Sequence, residues 1–235
     1  MVSPNGCTRC GKCLEACPYG GSRCTACGRC VEVCSLRLRK ICGIEYTAWE
    51  LAARLNRDKE FLKKNGGGVT FSGGEALAQP LFLKEVLRLL PDMHKAVETS
   101  GYCEQSVFRE IAGLLDYVIM DVKLADDELH QRYTGVSNRR ILENLDYLKK
   151  GGKPYVIRVP LIPGVNDTDE NLSRTAELLD GARDLERVEL LPYHTTAGAK
   201  YSMVGREYTF EVDAEREGNA NVELFRKRGI ECRVL

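Results

Sequence analysis

The sequence predicts an α/β fold in which an open, partial barrel of about five to six parallel β/α units follows a small cysteine-rich module. Three observations predict it. Eight of the eleven cysteines lie within the first 34 residues. From about residue 44, short apolar strands alternate with amphipathic stretches, and clusters of glycine and charged residues follow the strands. We place the module at residues 1–43 and the partial barrel at residues 44–235.

The cysteines of the module form two runs with the same CxxCxxCxxxC spacing. Two-cluster bacterial ferredoxins bind two [4Fe–4S] clusters with such runs, and the fourth cysteine of each run binds the other cluster. Zinc is the alternative ligand, because CxxC pairs also bind it, but zinc does not account for two tandem runs. The predicted ligand sets are Cys7, Cys10, Cys13 and Cys34 for one cluster, and Cys17, Cys24, Cys27 and Cys30 for the other.

Charge and hydropathy exclude several classes of protein. The chain has 34 basic and 34 acidic side chains, and this balance argues against a general nucleic-acid or anionic-membrane binder. No signal peptide and no run of about 18 apolar residues is present, so we expect a cytoplasmic protein with reduced thiols. Basic residues outnumber acidic ones in residues 1–40, either as a solvated surface or as compensation for anionic clusters.

The body of the chain alternates between strand and helix patterns. Thr47 and Glu50 have capping-box spacing and predict a helix start. Alternation of this kind predicts βαβ units and a parallel sheet, with too few units for a closed eight-fold barrel. The predicted strands are 69–71, 96–97, 117–120, 155–157, 188–191 and 230–235, and amphipathic helical stretches cover 81–90, 141–148, 172–179 and 222–226.

Polar and glycine-rich clusters follow five of these strands, at 72–75, 98–101, 121–123, 158–164 and 192–194. The C-terminal ends of parallel barrel strands share one rim, where active sites are built, so we predict the functional site there. Each cluster alone has an ordinary reading: a Gly-Gly turn, a solvated lysine or a structural histidine. Cys42, Cys103 and Cys232 have no metal partners at ligand spacing and are predicted to be buried apolar side chains.

Taken together, these clusters resemble the glycyl-radical-enzyme activating enzymes, which are radical S-adenosylmethionine (SAM) proteins akin to the pyruvate formate-lyase activase. The resemblance covers nearly the whole chain, and the two-cluster module resembles the subgroup that activates decarboxylases, dehydratases and choline lyases. It is carried by residues 66–77 with Gln79, by 98–102, by 121–123, by 162–167 and by 190–194.

The resemblance implies roles for particular residues. Ser72 to Glu75 would hold the methionine amino group of SAM, with Gly74 approaching closest. Lys123 would pair with the methionine carboxylate beside Asp121, and His194 would reach the ribose. Glu98 and Thr99 resemble positions that line a monovalent-cation site. The implied cofactor-binding residues are Ser72, Gly73, Gly74, Glu75, Asp121, Val122, Lys123 and His194, and no catalytic residue is assigned.

The resemblance also implies a reaction and partners. One-electron reduction of SAM would give methionine and a 5′-deoxyadenosyl radical, which abstracts hydrogen from a glycine of a partner glycyl radical enzyme. A flavodoxin or ferredoxin-type protein would donate the electron. We expect a monomer that docks transiently and binds neither nucleic acid nor membrane.

One family motif is missing from these 235 residues. The family binds a third [4Fe–4S] cluster, which chelates SAM, through a CxxxCxxC motif. Here Gly20 and Arg37 stand where its last cysteine would follow the two CxxxC pairs. Both predicted clusters are closed, so we expect this chain not to cleave SAM. Either an N-terminal segment with the motif and the first β/α unit is missing, or the chain is a non-catalytic electron-transfer or SAM-binding protein.

Overall fold

The computed structural model describes residues 6–194, 201, 203, 207 and 218–235. The chain divides into two compact units. The described residues of the first unit are 6–45, His194 and the three isolated positions after it. The described residues of the second unit are 46–193 and 218–235.

The first unit repeats one backbone conformation at an interval of 17 residues. Helices α1 (Lys12–Glu15) and α2 (Arg29–Glu32) have four residues each, and each follows a glycine with φ of 81°. Arg9 and Ala26, two residues before those glycines, both have φ of 55°. None of residues 6–45 is buried. Residues 6–45 therefore have regular local structure but form no apolar core among themselves.

The second unit contains a six-stranded parallel sheet with the strand order β1-β2-β3-β4-β5-β6. The strands are β1 (Gly68–Phe71), β2 (His94–Thr99), β3 (Tyr117–Asp121), β4 (Tyr155–Pro160), β5 (Leu185–Leu191) and β6 (Cys232–Val234). The helices are α3 (Ala48–Asn56), α4 (Lys59–Lys64), α5 (Pro80–Arg88), α6 (Gln105–Leu114), α7 (Asp127–Thr134), α8 (Arg139–Lys149), α9 (Asp169–Leu178) and α10 (Glu223–Arg226), with a 3₁₀ turn at Ala76–Ala78.

The two faces of the sheet differ in chemistry. One face packs on the helices, and its core includes Val97, Val118, Ile157 and Val188. The side chains that alternate with them point to the other face. Among these are Glu98, Asp121, Arg158 and Glu189, so the face opposite the helices is strongly charged.

The open parallel sheet confirms the predicted fold class, although several element bounds differ. Strands β2 and β4 extend beyond the prediction, so Glu98, Thr99 and Arg158 lie within strands rather than after them. Helices α6 and α7 form where no helix was predicted. Within the described ranges, every helix is too short or too polar to cross a lipid bilayer.

Two local predictions have opposite outcomes. The capping box at the start of α3 is confirmed, because Glu50 N donates to Thr47 Oγ1 at 3.2 Å and Thr47 N donates to Glu50 Oε2 at 2.8 Å. The prediction that all three remaining cysteines are buried is wrong for Cys42, which is exposed. It lies in residues 6–45, none of which is buried. Cys103 is partly buried and Cys232 is buried.

Candidate functional site

The loop after β1 is open to an approaching ligand. Residues 72–74 are exposed, and a Cβ added to Gly73 or Gly74 would meet nothing within 4 Å. Gly73 has φ of 131°, a conformation that favours glycine. In the described part of the chain, the backbone groups of these two glycines make no hydrogen bond. Their N–H and C=O groups are therefore available to a ligand.

Glu75 joins this loop to the end of β2. Its Oε1 accepts from Thr99 Oγ1 at 2.6 Å, and its Oε2 accepts from the Ser100 backbone N–H at 2.9 Å and from Ser100 Oγ at 2.6 Å. Partial burial raises the pKa of Glu75, but these donors and the Leu77 N–H outweigh it and hold the pKa below the ordinary value. Glu75 is therefore a fixed negative charge beside the open glycine loop.

Asp121 is the last residue of β3, and Lys123 lies two residues after it. Lys123 Nζ lies 2.8 Å from Asp121 Oδ2, and both side chains keep part of their surface in solvent. The intervening Val122 has its side chain in the hydrophobic core. A ligand carboxylate could therefore meet the Lys123 ammonium, whereas only the backbone of Val122 faces away from the core.

Two buried asparagines hold the backbone at Lys123. Asn166 Nδ2 donates to Lys123 O at 2.8 Å and to Pro160 O at 2.7 Å, while its Oδ1 accepts from Ile162 N at 2.6 Å. Asn171 Nδ2 donates to Asn166 O at 2.9 Å, and its Oδ1 accepts from Ala125 N at 3.0 Å. The loop after β4 is thus fastened to the loop that carries Lys123.

Two further asparagines extend this arrangement. Asn138 Nδ2 donates to the carbonyl oxygens of Leu124 and Ala125 at 3.1 and 3.0 Å. Asn144 Nδ2 donates to Gly101 O at 2.8 Å and Cys103 O at 3.0 Å. Both side chains are buried. The loops after β2 and β3 are therefore held by side-chain amides, for which the sequence gives no motif except Asn166.

Glu189 organises the charged face of the sheet. It is 1% exposed, and its carboxylate accepts from Arg158 Nε at 2.9 Å, Arg187 Nε at 2.8 Å and Arg233 Nη2 at 2.6 Å. Burial acts to raise the pKa of Glu189, but the three arginines prevail and lower it to about 2. Arg158 also donates to Glu98 Oε1 at 2.5 Å. The network links strands β2, β4, β5 and β6.

The structure gives Glu98 and Thr99, the implied cation-site pair, different partners. Glu98 pairs with Arg158 on the charged face. Thr99 is buried and donates to Glu75. Successive residues of a strand point to opposite faces, so these two side chains are not brought together.

Four of the predicted cluster ligands line one pocket of the first unit: Cys7, Cys10, Cys13 and Cys34. The backbone N–H groups of Leu38 and Arg39, Leu38 foremost, lower the pKa of the Cys34 thiol. Arg39 Nη2 donates to Cys13 Sγ at 3.2 Å. Among the described residues, no three cysteine, histidine or acidic side chains converge as ligands of one metal ion.

The second predicted set shares the same local structure. Cys24, Cys27 and Cys30 occupy the positions of Cys7, Cys10 and Cys13 in the 17-residue repeat. The Cys17 thiol has a lowered pKa because the backbone N–H groups of Tyr19 and Gly21 donate to its sulfur. Donors directed at sulfur stabilise a thiolate, which is the form that binds iron.

His194 belongs to the first unit, and its role at a ribose stays a prediction.

Comparisons with known proteins identify the family of the chain. Residues 14–178 match the radical SAM superfamily, and residues 4–20 match a 4Fe-4S binding domain. The chain is 34% identical over 238 residues to the trans-4-hydroxy-L-proline dehydratase activating enzyme of Clostridioides difficile, covering 94% of this chain and 78% of the relative. It is 38% identical over 202 residues to the 4-hydroxyphenylacetate decarboxylase activating enzyme of C. difficile strain 630, covering 83% of this chain and 63% of the relative.

A solved structure of an activating enzyme is also similar to this chain. The crystal structure of a domain of pyruvate-formate lyase-activating enzyme from Bacteroides vulgatus ATCC 8482 aligns with a TM-score of 0.57 and 31% identity. The alignment covers 72% of this chain and 99% of that domain. The open sheet, the cysteine module and these relatives together show that the chain belongs to the radical SAM superfamily and, within it, to the glycyl-radical-enzyme activating enzymes.

Proposed function

We propose that these residues form the SAM-binding and electron-relay parts of an enzyme that activates a glycyl radical enzyme. The observation that carries the proposal is an open glycine loop with a fixed carboxylate after β1 and a partly exposed lysine after β3, which lies two strands away in the sheet. Glu75 is fixed beside Gly73 and Gly74, and Lys123 is held after β3. The methionine part of SAM has an ammonium and a carboxylate, which require such a pair of charges.

The strand-end residues would bind and orient SAM without reacting themselves. The free backbone groups of Gly73 and Gly74 would receive the methionine ammonium, with the Glu75 charge favouring it. Lys123 would exchange Asp121 for the methionine carboxylate. In this family a reduced cluster with an open iron supplies the electron that cleaves SAM. By similarity to the named relatives, the protein substrate would be a glycyl radical enzyme.

We propose that the first unit binds two [4Fe–4S] clusters with the predicted ligand sets, one of which lines a pocket. A single zinc ion draws its ligands about 2.3 Å from one point, whereas a cubane takes one thiolate at each of four irons. Cysteines that surround a pocket suit the larger group. A segment of this size in which none of the described residues 6–45 is buried also needs a metal group or crosslinks for stability. We propose that both clusters receive electrons from a flavodoxin or ferredoxin-type donor.

Both proposed clusters have four cysteine ligands, so neither offers an open iron to SAM. These 235 residues contain no CxxxCxxC motif. We therefore propose that this chain binds clusters and SAM but does not cleave SAM by itself. Anaerobic reconstitution should give about 8 Fe per chain, and dithionite with SAM should yield no 5′-deoxyadenosine. About 4 Fe, or appreciable 5′-deoxyadenosine, would contradict this part of the proposal.

The SAM site is tested separately by equilibrium dialysis of labelled SAM against the reconstituted chain. Lys123→Ala should weaken binding about ten- to hundredfold, because a charge-assisted hydrogen bond is lost. Lys150→Ala is the matched control, since Lys150 is exposed at the end of α8, before the start of β4 and so away from the C-terminal strand ends. His194→Ala should weaken binding if His194 reaches the ribose. Equal affinities of wild type and Lys123→Ala would contradict the assigned site.

A further inference from the structure

Arg39 contacts a predicted cluster ligand in the pocket of the first unit. Its guanidinium Nη2 donates to Cys13 Sγ at 3.2 Å, and Cys34 lines the same pocket. Both cysteines line the pocket, and so does Arg39. They come from different cysteine runs but belong to the same predicted ligand set. No motif or family role described above involves Arg39.

The other half of the unit has a different residue at this position. Seventeen residues before Arg39 in the repeat stands Ser22, whose Oγ donates to Tyr19 O at 2.6 Å. The backbone of the two halves matches at Gly11 and Gly28, which both have φ of 81°. It diverges beside the compared position, because Gly21 has φ of 87° whereas its counterpart Leu38 has no positive φ. The two halves therefore present different electrostatic surroundings to sulfur.

This difference matters for electron transfer. A cluster becomes more negative when it gains an electron, so hydrogen bonds and positive charge at its sulfurs favour the reduced state and raise the reduction potential. Arginine keeps its charge at every physiological pH and donates through a planar group. Its effect on a nearby cluster is therefore permanent and directional.

We propose that Arg39 raises the reduction potential of the cluster held by Cys7, Cys10, Cys13 and Cys34, so that this cluster is reduced before the other one. The proposal rests on the proposed function, because both clusters must bind. Reduction of this cluster adds one electron from the flavodoxin or ferredoxin-type donor and breaks no bond at Arg39. The two clusters of the repeat would thus differ in reduction potential.

The test is a redox titration of the reconstituted chain, followed by electron paramagnetic resonance. Iron is counted first, and a wild-type chain without about 8 Fe overturns the cluster part of the proposed function rather than the role of Arg39. In Arg39→Gln, one of the two midpoint potentials should fall while the other stays. We expect about a tenfold loss in the equilibrium constant for one-electron reduction, or about 59 mV.

Two further variants keep the test decisive. Arg39→Lys keeps the charge but not the planar donor group, so its shift should be smaller than that of Arg39→Gln. Arg23→Gln removes an exposed positive charge from the same unit and should leave both potentials near wild type. Should Arg39→Gln not load iron, Arg39→Lys decides alone: a fall in one potential supports the role. Unchanged potentials, an equal fall in both, or the same shift in Arg23→Gln overturns it.

Discussion

The cysteine unit and the strand-end site are organised by different means. In the cysteine unit, residues 6–45, no residue is buried, and the described polar contacts include several donors aimed at sulfur. At the strand ends, buried asparagines hold the backbone, and within the sheet three arginines hold the buried Glu189 carboxylate. The strand-end residues are therefore held by contacts within the protein, whereas we expect the cysteine unit to depend on the metal group proposed for it.

The largest test of this difference is removal of iron. Oxidation and chelation of the reconstituted chain should abolish the hydrogen-exchange protection of residues 6–45, because metal binding supplies the folding free energy of such a unit. The protection of β2, β3 and β4 should change little, since their core is apolar. Mass spectrometry of peptic fragments measures both regions in one sample. Unchanged protection in residues 6–45, or an equal loss in the sheet, would break the comparison.

A smaller effect is expected from Glu189→Gln in the sheet. The change leaves three arginines around one neutral amide, and we expect a loss of about 3 kcal/mol in the free energy of unfolding. This value lies at the low end for a broken buried pair, because the three guanidiniums keep part of their surface in solvent. Urea unfolding followed by circular dichroism measures it.

Glu186→Gln is the matched control for Glu189→Gln. Glu186 also contacts Arg187, but its side chain is 45% exposed, so the loss should stay below about 1 kcal/mol. Similar losses in both variants would mean that burial of Glu189 contributes nothing special to this face.

The smallest of the three effects concerns Asn166. Asn166→Ala leaves Ile162 N and the Pro160 carbonyl without their partner and loosens the Lys123 carbonyl, so we expect a loss of about 2 kcal/mol in stability. If the asparagine also positions Lys123, the SAM dissociation constant should rise about tenfold well below the unfolding temperature, with iron content unchanged. Equilibrium dialysis and thermal unfolding separate the two effects.

Asn221→Ala provides the comparison for Asn166→Ala. Asn221 donates to Asp169 at 3.1 Å near the surface, and its removal should change stability by less than about 0.5 kcal/mol. A normal SAM affinity in Asn166→Ala would show that the asparagine serves stability alone.

Much of the fold followed from periodicity, because apolar strands and amphipathic helices alternate regularly. The strand-end position of residues 72–75 and 121–123 followed from the same pattern. The contacts that hold them did not. An asparagine such as Asn138 or Asn144 carries no local signal that it will bond a carbonyl about 14 to 43 residues away in sequence. Such partners are decided by tertiary packing.

The charged side chains were equally hard to assign from sequence. Glu189 stands between Val188 and Leu190 in β5, and only the assembled sheet brings Arg158 and Arg233 to it beside Arg187. Arg39 and Cys13 lie 26 residues apart.

Helix α7 was missed because its residues are mostly polar and only His130 of it is buried. Its start depends on Asp126, whose side chain accepts from Leu129 N.

The consecutive strand order has a consequence for how the sheet is made during synthesis. Each strand pairs with the one that leaves the ribosome just before it, so the sheet can grow one strand at a time without waiting for a distant partner. Contacts between near neighbours in sequence close with little loss of chain entropy. We therefore expect each new strand to cover the exposed edge of its predecessor, which shortens the time during which a nascent edge could pair with another chain.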